Sequence, residues 1–515
     1  MLPRRPLIAL LAVLALGIAA CGAGPVTFTH GVASGDVRPD GAVLWTRIDK
    51  GATLSVEVAT DRDFTDIALK QEVKAEKERD FTVKAEVSGL EPGATYYYRF
   101  RRGDDMSEVG AFNTAPAEDE AATVRFIFSG DSDGTVREDG TRAFDFRVLQ
   151  AAQAENADFF LYFGDTIYAD SPFGAKAETL DEYRAKYKEN RDIDFLRQIL
   201  ASTSIYTVWD DHEVENDFAG TTVDPELFAA GLQAFREYMP LSGDDTPGVL
   251  YRRFRWGQAV EIIILDQRSF RDEDATAACT PEGQDDPDLL PSLGAADVPA
   301  PYRSFRGAVG LPGETDPACL EALHDPNRTF LGQAQKEFLF KALEESEATF
   351  KFIVNEVAIS ELVFLPYDRW EGYRAERDEV LRFIQERGIS NVVFLTTDIH
   401  ANIINDVRLD VIADARADPI PPPIAIEAIA GPIAHATLGD DLSEGQDSEL
   451  AESLGDVDIV AAFNLFFEDV VQVDCVEPDA FSYGLVEVDP VAGTTTITLK
   501  DEDGVELCQT VITAA

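Results

Sequence analysis

The chain has 515 residues, of which 45% are hydrophobic, so it can bury a large core and should contain two or more domains. Its 95 Asp and Glu residues outnumber its 44 Lys and Arg residues, which gives a formal net charge of -51. Such a surface repels nucleic acids and other polyanions at long range, so we expect no nucleic-acid partner. Hydrophobic content this high also argues against disorder. Most of the carboxylates should form a solvated surface, and a metal site needs only a few.

The N-terminal residues have the pattern of an export signal. Arg4 and Arg5 precede the apolar run 6–16, and small residues lead from there to Cys21. Small residues directly before a Cys resemble a bacterial lipobox, which predicts a signal peptide over 1–20, lipid on Cys21 and a tether over 21–26. Ordinary signal cleavage beside an incidental Cys is the alternative. We therefore expect an exported protein that is lipid-anchored to the bacterial cell envelope or periplasm.

Four further cysteines predict disulfides, because an even number in an exported chain favours pairing. Three pairings are open, and we favour the two local ones, Cys279–Cys319 and Cys475–Cys508. Since no C-x-x-C spacing occurs, a zinc site built from thiolates is not expected.

Residues 27–117 have the pattern of short strands joined by turns. Apolar and polar residues alternate over 54–59 and 81–87, and the turn signal 89–93 precedes an aromatic strand over 94–100. Several such strands predict a small all-β sandwich. The string 90–99 resembles a fibronectin type III (Ig-like) domain at its tyrosine-bearing strand. A sandwich of this kind is a scaffold or a binding module.

Residues 122–515 show a different pattern, in which apolar strands alternate with helices and indicate a layered α/β or α+β domain. A Pro-, Gly- and Asp-rich stretch, about 272–326, reads as an insertion pinned by Cys279 and Cys319, and the chain ends in strands over about 465–515. We predict strands at 124–128, 159–163, 203–208, 260–265, 350–354 and 391–395, and helices at about 143–155, 180–200 and 374–387.

Six apolar strands of this region each end in a carboxylate, a His or an Asn. One Asp after a strand is unremarkable, because loops favour Asp, but six such ends that include two of the five histidines predict a metal centre. Two metal ions about 3.5–4 Å apart can share one carboxylate. Hard oxygen ligands favour Ca²⁺, Mg²⁺, Mn²⁺ or ferric iron, and imidazoles admit zinc or iron. The residues concerned are Asp131 and Asp133, Asp165, Asp211 with His212, Asp266, Asn355, and Asp398 with His400.

The motifs around these residues resemble one family in content and in order. They are His30–Asp36, Val43–Arg47, Gly164–Tyr168, Trp209–Glu213, Leu265–Arg268, Asp368–Arg377 and Thr397–His400. The chain is thereby similar to the PhoD-like (alkaline phosphatase D) family of the calcineurin-like metallophosphoesterase superfamily, over nearly the whole mature chain. The resemblance implies an α+β fold, a four-layer αββα sandwich preceded by the small all-β domain. It also implies hydrolysis of small phosphate esters by in-line attack of a metal-bound hydroxide.

The resemblance further implies two or more metal ions. Ferric iron with calcium is the family's combination, and zinc or another divalent ion is the alternative. The implied ligands are Asp131 and His400 on the first metal, the bridging Asp165, Tyr168 as a phenolate on iron, Asp211 and Asp398 on the second metal, and, by a looser match, Asn355. The family often has Cys where this chain has Asp131, and a carboxylate hardens that site. Asp133 is an alternative ligand there.

Three residues are candidates for catalysis. His212, oriented by Asp210 or Glu213, is expected to protonate the leaving oxygen. Arg268, and after it Arg377, is expected to stabilise charge on the phosphoryl oxygens, unless each is simply salt-bridged.

We expect His30, His324 and His435 to be structural and the protein to be a monomer. The alternative functions are a phosphodiesterase preferring phospholipids or nucleotides, and a non-catalytic lipoprotein binding module. The complete set of ligands argues against the binding module.

Overall fold

The computed structural model describes residues 24–243, 248–279, 317–362, 368–410, 414, 417, 419–444 and 473–515. The predicted signal peptide, Cys21 and most of the predicted insertion lie outside these ranges. The helices are α1 (Val148–Ala154), α2 (Leu180–Arg191), α3 (Asp194–Ser202), α4 (Pro225–Tyr238), α5 (Thr276–Cys279), α6 (Pro317–Leu323), α7 (Gln333–Glu345), α8 (Arg374–Arg387) and α9 (Leu438–Glu444).

Within these ranges the strands form three sheets. They are β1 (Phe28–Arg38), β2 (Gly41–Ile48), β3 (Ala52–Ala59), β4 (Ile67–Ala75), β5 (Thr82–Val87), β6 (Thr95–Arg102), β7 (Asp105–Met106), β8 (Gly110–Asn113), β9 (Val124–Ser129), β10 (Phe159–Tyr162), β11 (Ser204–Tyr206), β12 (Arg252–Trp256), β13 (Val260–Ile264), β14 (Phe350–Val354), β15 (Val392–Thr396), β16 (Asn402–Val407), β17 (Ala425–Ile429), β18 (Cys475–Glu477), β19 (Ser482–Asp489), β20 (Thr494–Asp501) and β21 (Glu506–Thr513).

The nine-stranded sheet has the order β21-β20-β19-β9-β10-β11-β1-β2-β5. Strands β9, β10 and β11 are parallel, and β1 joins β11 at the pair Gly35 and Ile205. A side chain at Gly35 would not fit there, because an added Cβ would lie 2.7 Å from the Ile205 carbonyl oxygen. Three strands of the N-terminal region thus extend the sheet of the later region, while β3, β4, β6, β7 and β8 form a separate five-stranded sheet.

The seven-stranded sheet has the order β12-β13-β14-β15-β17-β16-β18, with β13, β14, β15 and β17 parallel. Strands β13, β14 and β15 are buried along their whole length, as expected when both faces are covered. One face meets the nine-stranded sheet, where Phe126 and Phe352 pack edge to face at 5.1 Å. Helices α7 and α8 cover the other face through apolar residues such as Leu343 and Leu381. The carboxyl ends of the parallel strands supply the loops in which the chemistry is expected.

Most predicted elements are present, with two instructive differences. Helix α8 has its predicted bounds, and Gly388 ends it in the left-handed conformation, with φ of 63°. The predicted helix 180–200 is instead two helices, α2 and α3, separated at Asp192 and Ile193. Helix α4 was not predicted, although Asp224 caps it and Pro225 stands at its first position.

Both favoured disulfides are confirmed: Cys279 is bonded to Cys319, and Cys475 to Cys508. Within the described ranges, no helix combines the length and the hydropathy that crossing a bilayer requires.

Candidate metal centre

The loops after β9, β10 and β15 hold four of the predicted ligands in an unusual backbone conformation. The φ angles of Asp131, Asp165, Asp398 and His400 are 56°, 48°, 65° and 56°. Residues other than Gly seldom adopt positive φ, and those that do concentrate at functional sites because the surrounding structure must hold them there. The fold therefore holds these side chains at a conformational cost that the helices and strands do not explain.

The same loops approach one another closely. The Asp131 amide donates to the Gly164 carbonyl oxygen at 3.2 Å, and the Asp398 amide donates to Asp131 Oδ1 at 3.2 Å. Gly164 is required here, because an added Cβ would lie 2.6 Å from Thr397 Oγ1. The missing side chain at Gly164 thus makes room for Thr397.

The structure brings the donor atoms into two groups that share one residue. Donor atoms of Asp131, Asp165 and His400 lie within 4.8 Å of one another, and so do those of Asp165, Asp211 and His212. Asp165 belongs to both groups, as a carboxylate that bridges two ions would. The Tyr168 hydroxyl lies 3.1 Å from His400 Nε2 and so adjoins the first group.

The electrostatics of the groups fit cations. Burial and the neighbouring Asp398 raise the pKa of Asp131 well above its usual range, and burial and Asp211 do the same for Asp165. Among the described residues, no donor reaches Asp131 Oδ2, although this atom is buried. Crowded, buried carboxylates are costly unless a positive charge offsets them. Asp133 differs, because Thr135 and Ser171 already donate to its two oxygens.

Asp398 lies beside the first group without belonging to either set. Its amide binds Asp131, and its Oδ2 lies 3.8 Å from Arg369 Nε. Burial, and after it the negative charge of Asp210, raises the pKa of Asp398 to about 8. A cation beside Asp398 would offset this repulsion, and the role of Asp398 on the second metal stays a prediction.

A third group of carboxylates joins Asp211 to Asp217 and Asp368. Arg268 and Arg271 both pair with Asp368, so this group already has positive charge beside it. It therefore makes a weaker case for a metal ion than the two groups that share Asp165.

His212 is held by a carboxylate that was not assigned this role from the sequence. Its Nδ1 lies 2.6 Å from Asp170 Oδ1, and Asp170 Oδ2 accepts from the Asn216 amide. Although burial lowers the pKa of His212, the charge of Asp211 and the bond to Asp170 outweigh burial and raise that pKa to about 9. A ring held through Nδ1 leaves Nε2 as the nitrogen that can donate a proton or bind an ion.

The prediction that Asp210 or Glu213 orients His212 is therefore wrong. Glu213 instead accepts hydrogen bonds from the amides of Asp210 and Thr166, which fixes the turn. Asp210 pairs with Arg268.

The prediction that Arg268 contacts the substrate does not agree with the structure. Its side chain is fully buried, its Nε binds Asp210, and Nη1 and Nη2 donate to the two oxygens of Asp368 at 2.8 Å each. Nη2 also lies 3.6 Å from Asp211 Oδ1. With its donors committed to carboxylates, Arg268 fixes the loop that carries Asp211.

Arg377 does not reach the centre. It is fully buried in α8, and its guanidinium donates to the backbone carbonyls of Ile359, Leu409 and Arg408 at 2.6, 3.2 and 2.8 Å. These bonds tie the helix to two loops, so the residue is structural.

Asn355 is also occupied elsewhere. Its Oδ1 accepts from Gln267 at 2.5 Å and from Trp370 at 2.9 Å, and its Nδ2 donates to the Val357 carbonyl. The oxygen that would bind a metal is thus already saturated. In the next residue, Glu356, neither buried oxygen has a hydrogen-bond partner among the described residues, and burial and Asp210 raise its pKa well above the usual range.

Two residues at the centre, Asp170 and Arg369, were not predicted from the sequence, and a third, His435, was predicted to be structural. Asp170 follows Tyr168 by two positions, and a carboxylate this near a motif was the available signal. Arg369 stands next to Asp368 in a matched stretch, and its side chain is 12% exposed. His435 was expected to be structural, yet its ring packs against Tyr168 and His400.

The ends of strands in the two packed sheets thus carry two groups of metal-binding donors that share Asp165, which defines a candidate site for two metal ions. The PhoD-like phosphatase family model matches residues 139–475, which is more than half of the chain, and the model for the N-terminal domain of PhoD-like phosphatases matches residues 17–116. The chain therefore belongs to the PhoD-like phosphatase family.

One relative and two solved structures illustrate the likeness. Alkaline phosphatase D of Bacillus subtilis (strain 168) is 29% identical over 427 residues, which is 74% of this chain and 66% of that protein, just under two thirds of its length. A structure of PhoD matches with a TM-score of 0.73 at 24% identity, covering 95% of this chain and 90% of the other. A purple acid phosphatase from yellow lupin (Lupinus luteus) seeds matches with a TM-score of 0.58 at 11% identity, covering 95% and 74%. The two structures support the phosphoesterase-like α+β fold.

Proposed function

We propose that this protein is a metal-dependent phosphatase that hydrolyses small phosphate esters and releases phosphate. The single observation that carries the proposal is the place of Asp165 in both donor groups. Two metal ions there, when bound, lower the pKa of water and neutralise charge on the phosphoryl oxygens. Asp131, Asp165, Tyr168 and His400 would hold the first ion.

The second ion would be held by Asp165, Asp211 and Asp398. His212 then acts as the general acid: Asp170 fixes its ring through Nδ1, so Nε2 donates a proton to the leaving oxygen. Arg369 takes the part first assigned to Arg268, because its partly exposed guanidinium lies beside Asp398 and suits charge-assisted bonds to phosphoryl oxygens.

The chemistry of the donors narrows the choice of ions. Asp131, where the family often has Cys, makes the first group harder, which favours ferric iron, Ca²⁺ or Mn²⁺ over soft metals. Ferric iron with calcium remains our proposal from the resemblance, with zinc or another divalent ion as the alternative.

We also propose where the protein works and how it is organised. Two disulfides favour an oxidising compartment, in agreement with export, and we assign 1–20 as signal peptide and Cys21 as the lipid anchor. Residues 27–117 are proposed to be a fibronectin type III-like sandwich, and 122–515 a four-layer phosphatase domain that acts as a monomer.

The test is hydrolysis of p-nitrophenyl phosphate and bis-p-nitrophenyl phosphate, before and after EDTA. We expect turnover that EDTA abolishes and added metal restores, because the proposed mechanism relies on metal ions in the donor groups to activate water. The ratio of the two rates separates a monoesterase from a phosphodiesterase. Turnover that resists EDTA despite complete removal of metal would contradict the proposal, and metal-loaded protein without turnover would favour the binding module.

A further inference from the structure

His435 lies in the loop that follows β17, and the backbone fixes this loop against the one carrying Asp131. The Ile433 amide donates to the Gly130 carbonyl at 2.9 Å, and the Ala434 amide donates to the Asp131 carbonyl at 2.9 Å. The Asp133 amide returns a bond to the Ala434 carbonyl at 2.8 Å. Three bonds between two loops leave His435 little freedom to move relative to the first donor group.

The imidazole of His435 packs against Tyr168 and His400, two residues at the first donor group. It stacks on the Tyr168 ring with centroids 4.4 Å apart and planes inclined by 14°, and Phe144 packs nearby at 5.7 Å. Its Nδ1 lies 3.2 Å from His400 Nδ1. The residue thus contacts two of the four proposed ligands of the first ion, and its loop is bonded to the backbone of another, Asp131.

The two ring nitrogens of His400 face different partners. Its Nε2 faces the Tyr168 hydroxyl at 3.1 Å and Asp131 Oδ1 at 4.0 Å, so this nitrogen is on the side of the metal. A histidine that binds metal through one nitrogen carries its hydrogen on the other, and a fixed acceptor for that hydrogen orients the ring. At His400 the nitrogen that carries the hydrogen is Nδ1, and His435 is beside it.

We propose that His435 is a positioning residue of the first metal group: its Nδ1 accepts from His400 Nδ1, and its ring braces Tyr168. The inference rests on the proposed metal centre and deepens it. The backbone of Ala436 favours the protonated form of both imidazoles and so acts to raise the pKa of each, which makes it the competing partner for His400. If Ala436 is sufficient, removal of the nitrogens of His435 has no effect on metal binding.

Two variants separate the bond from the stacking. His435→Phe keeps an aromatic ring against Tyr168 and loses the acceptor, whereas His435→Asn keeps an acceptor near the position of Nδ1 and loses the ring. His30→Asn is the matched control, because His30 is likewise half-buried but lies outside the centre. Each purified protein, with the metals it carries, is dialysed against graded EDTA, and the metal left per chain is measured by elemental analysis. The melting temperature of each stripped protein reports the fold.

We expect His435→Phe to lose half its metal at an EDTA concentration about 10-fold or more below that for the wild type, which is the usual effect of removing a partner that orients a ligand. His435→Asn should recover part of the difference, and the stripped proteins should melt together. If His435→Phe retains metal as well as the wild type does, the inference about His435 is overturned and the proposed function is not. If both variants lose metal equally and their stripped forms melt at a lower temperature, His435 only stabilises the fold by packing and does not position His400. A wild type that carries no metal would overturn the proposed function as well.

Discussion

Replacing Asp165 with Asn is expected to remove both metal ions together and to lower kcat/KM for p-nitrophenyl phosphate by more than about 100-fold. The magnitude exceeds the roughly 10–100-fold cost of losing a residue that merely orients a ligand, because Asp165 is the one carboxylate common to both donor groups. Asn has nearly the same shape but no negative charge, so it cannot offset two cations. Elemental analysis and steady-state kinetics on the same preparation measure the two effects.

The control for Asp165→Asn is Asp266→Asn. Asp266 is also buried at the end of a strand, but its Oδ1 alone accepts the bonds from Trp209 and Ser269, which Asn preserves. It lies outside the donor groups, so metal content and activity should remain near those of the wild type. Loss of only one ion from Asp165→Asn would argue against a bridging carboxylate, and equal damage in both variants would show general sensitivity of the buried core.

Replacing His212 with Gln, or Asp170 with Asn, is expected to slow esters of poor leaving groups far more than esters of good ones. An alkoxide needs a proton to leave, whereas p-nitrophenolate does not. For an alkyl phosphate we expect His212→Gln to lower kcat by about 10²–10⁴-fold, the usual contribution of a general acid. Asp170→Asn should lower it less, because that change disturbs the hold on the ring and leaves the ring in place.

The contrast between substrates distinguishes the proton donor from a metal ligand, since His212 also belongs to the second donor group. As a general acid, His212 can be removed without loss of metal and with little loss of p-nitrophenyl phosphate hydrolysis. A parallel fall for both substrates, together with a fall in metal content, would instead make His212 a ligand.

The sequence predicted best those site residues that directly follow a strand, because the end of the strand determines where the side chain lies. Asp131, Asp165 and Asp211 follow parallel strands of the nine-stranded sheet, and Asp398 and His400 follow a parallel strand of the seven-stranded sheet packed against it. Apolar runs in the sequence predict where these strands end, and the carboxyl ends of parallel strands are where such side chains gather. The local disulfide pairs were likewise predictable from spacing.

The errors concern side chains whose partners are distant in sequence. Arg268 looked available to substrate until Asp368, a hundred positions later, was seen to occupy its guanidinium. Asn355 was predicted as a ligand from its place at a strand end. The two groups that occupy its Oδ1, from Gln267 and Trp370, belong to other loops and cannot be inferred from the sequence around Asn355. No pattern in the sequence shows which buried polar group is already satisfied, because that depends on packing between loops.

The parallel register between β1 and β11 illustrates the same limit for the fold. Alternation predicted strands in the N-terminal region, but not that three of them would extend the sheet of the later region. That junction rests on the close approach of two backbones at Gly35 and Ile205, a contact between residues 170 positions apart that neither strand reveals alone.

The most direct test of the shared centre is a crystal structure of the purified protein with anomalous scattering data for its metals. We predict two peaks about 3.5–4 Å apart, one among Asp131, Tyr168 and His400 and one beside Asp211, with Asp165 in contact with both. A single peak, or peaks that do not share Asp165, would contradict the account.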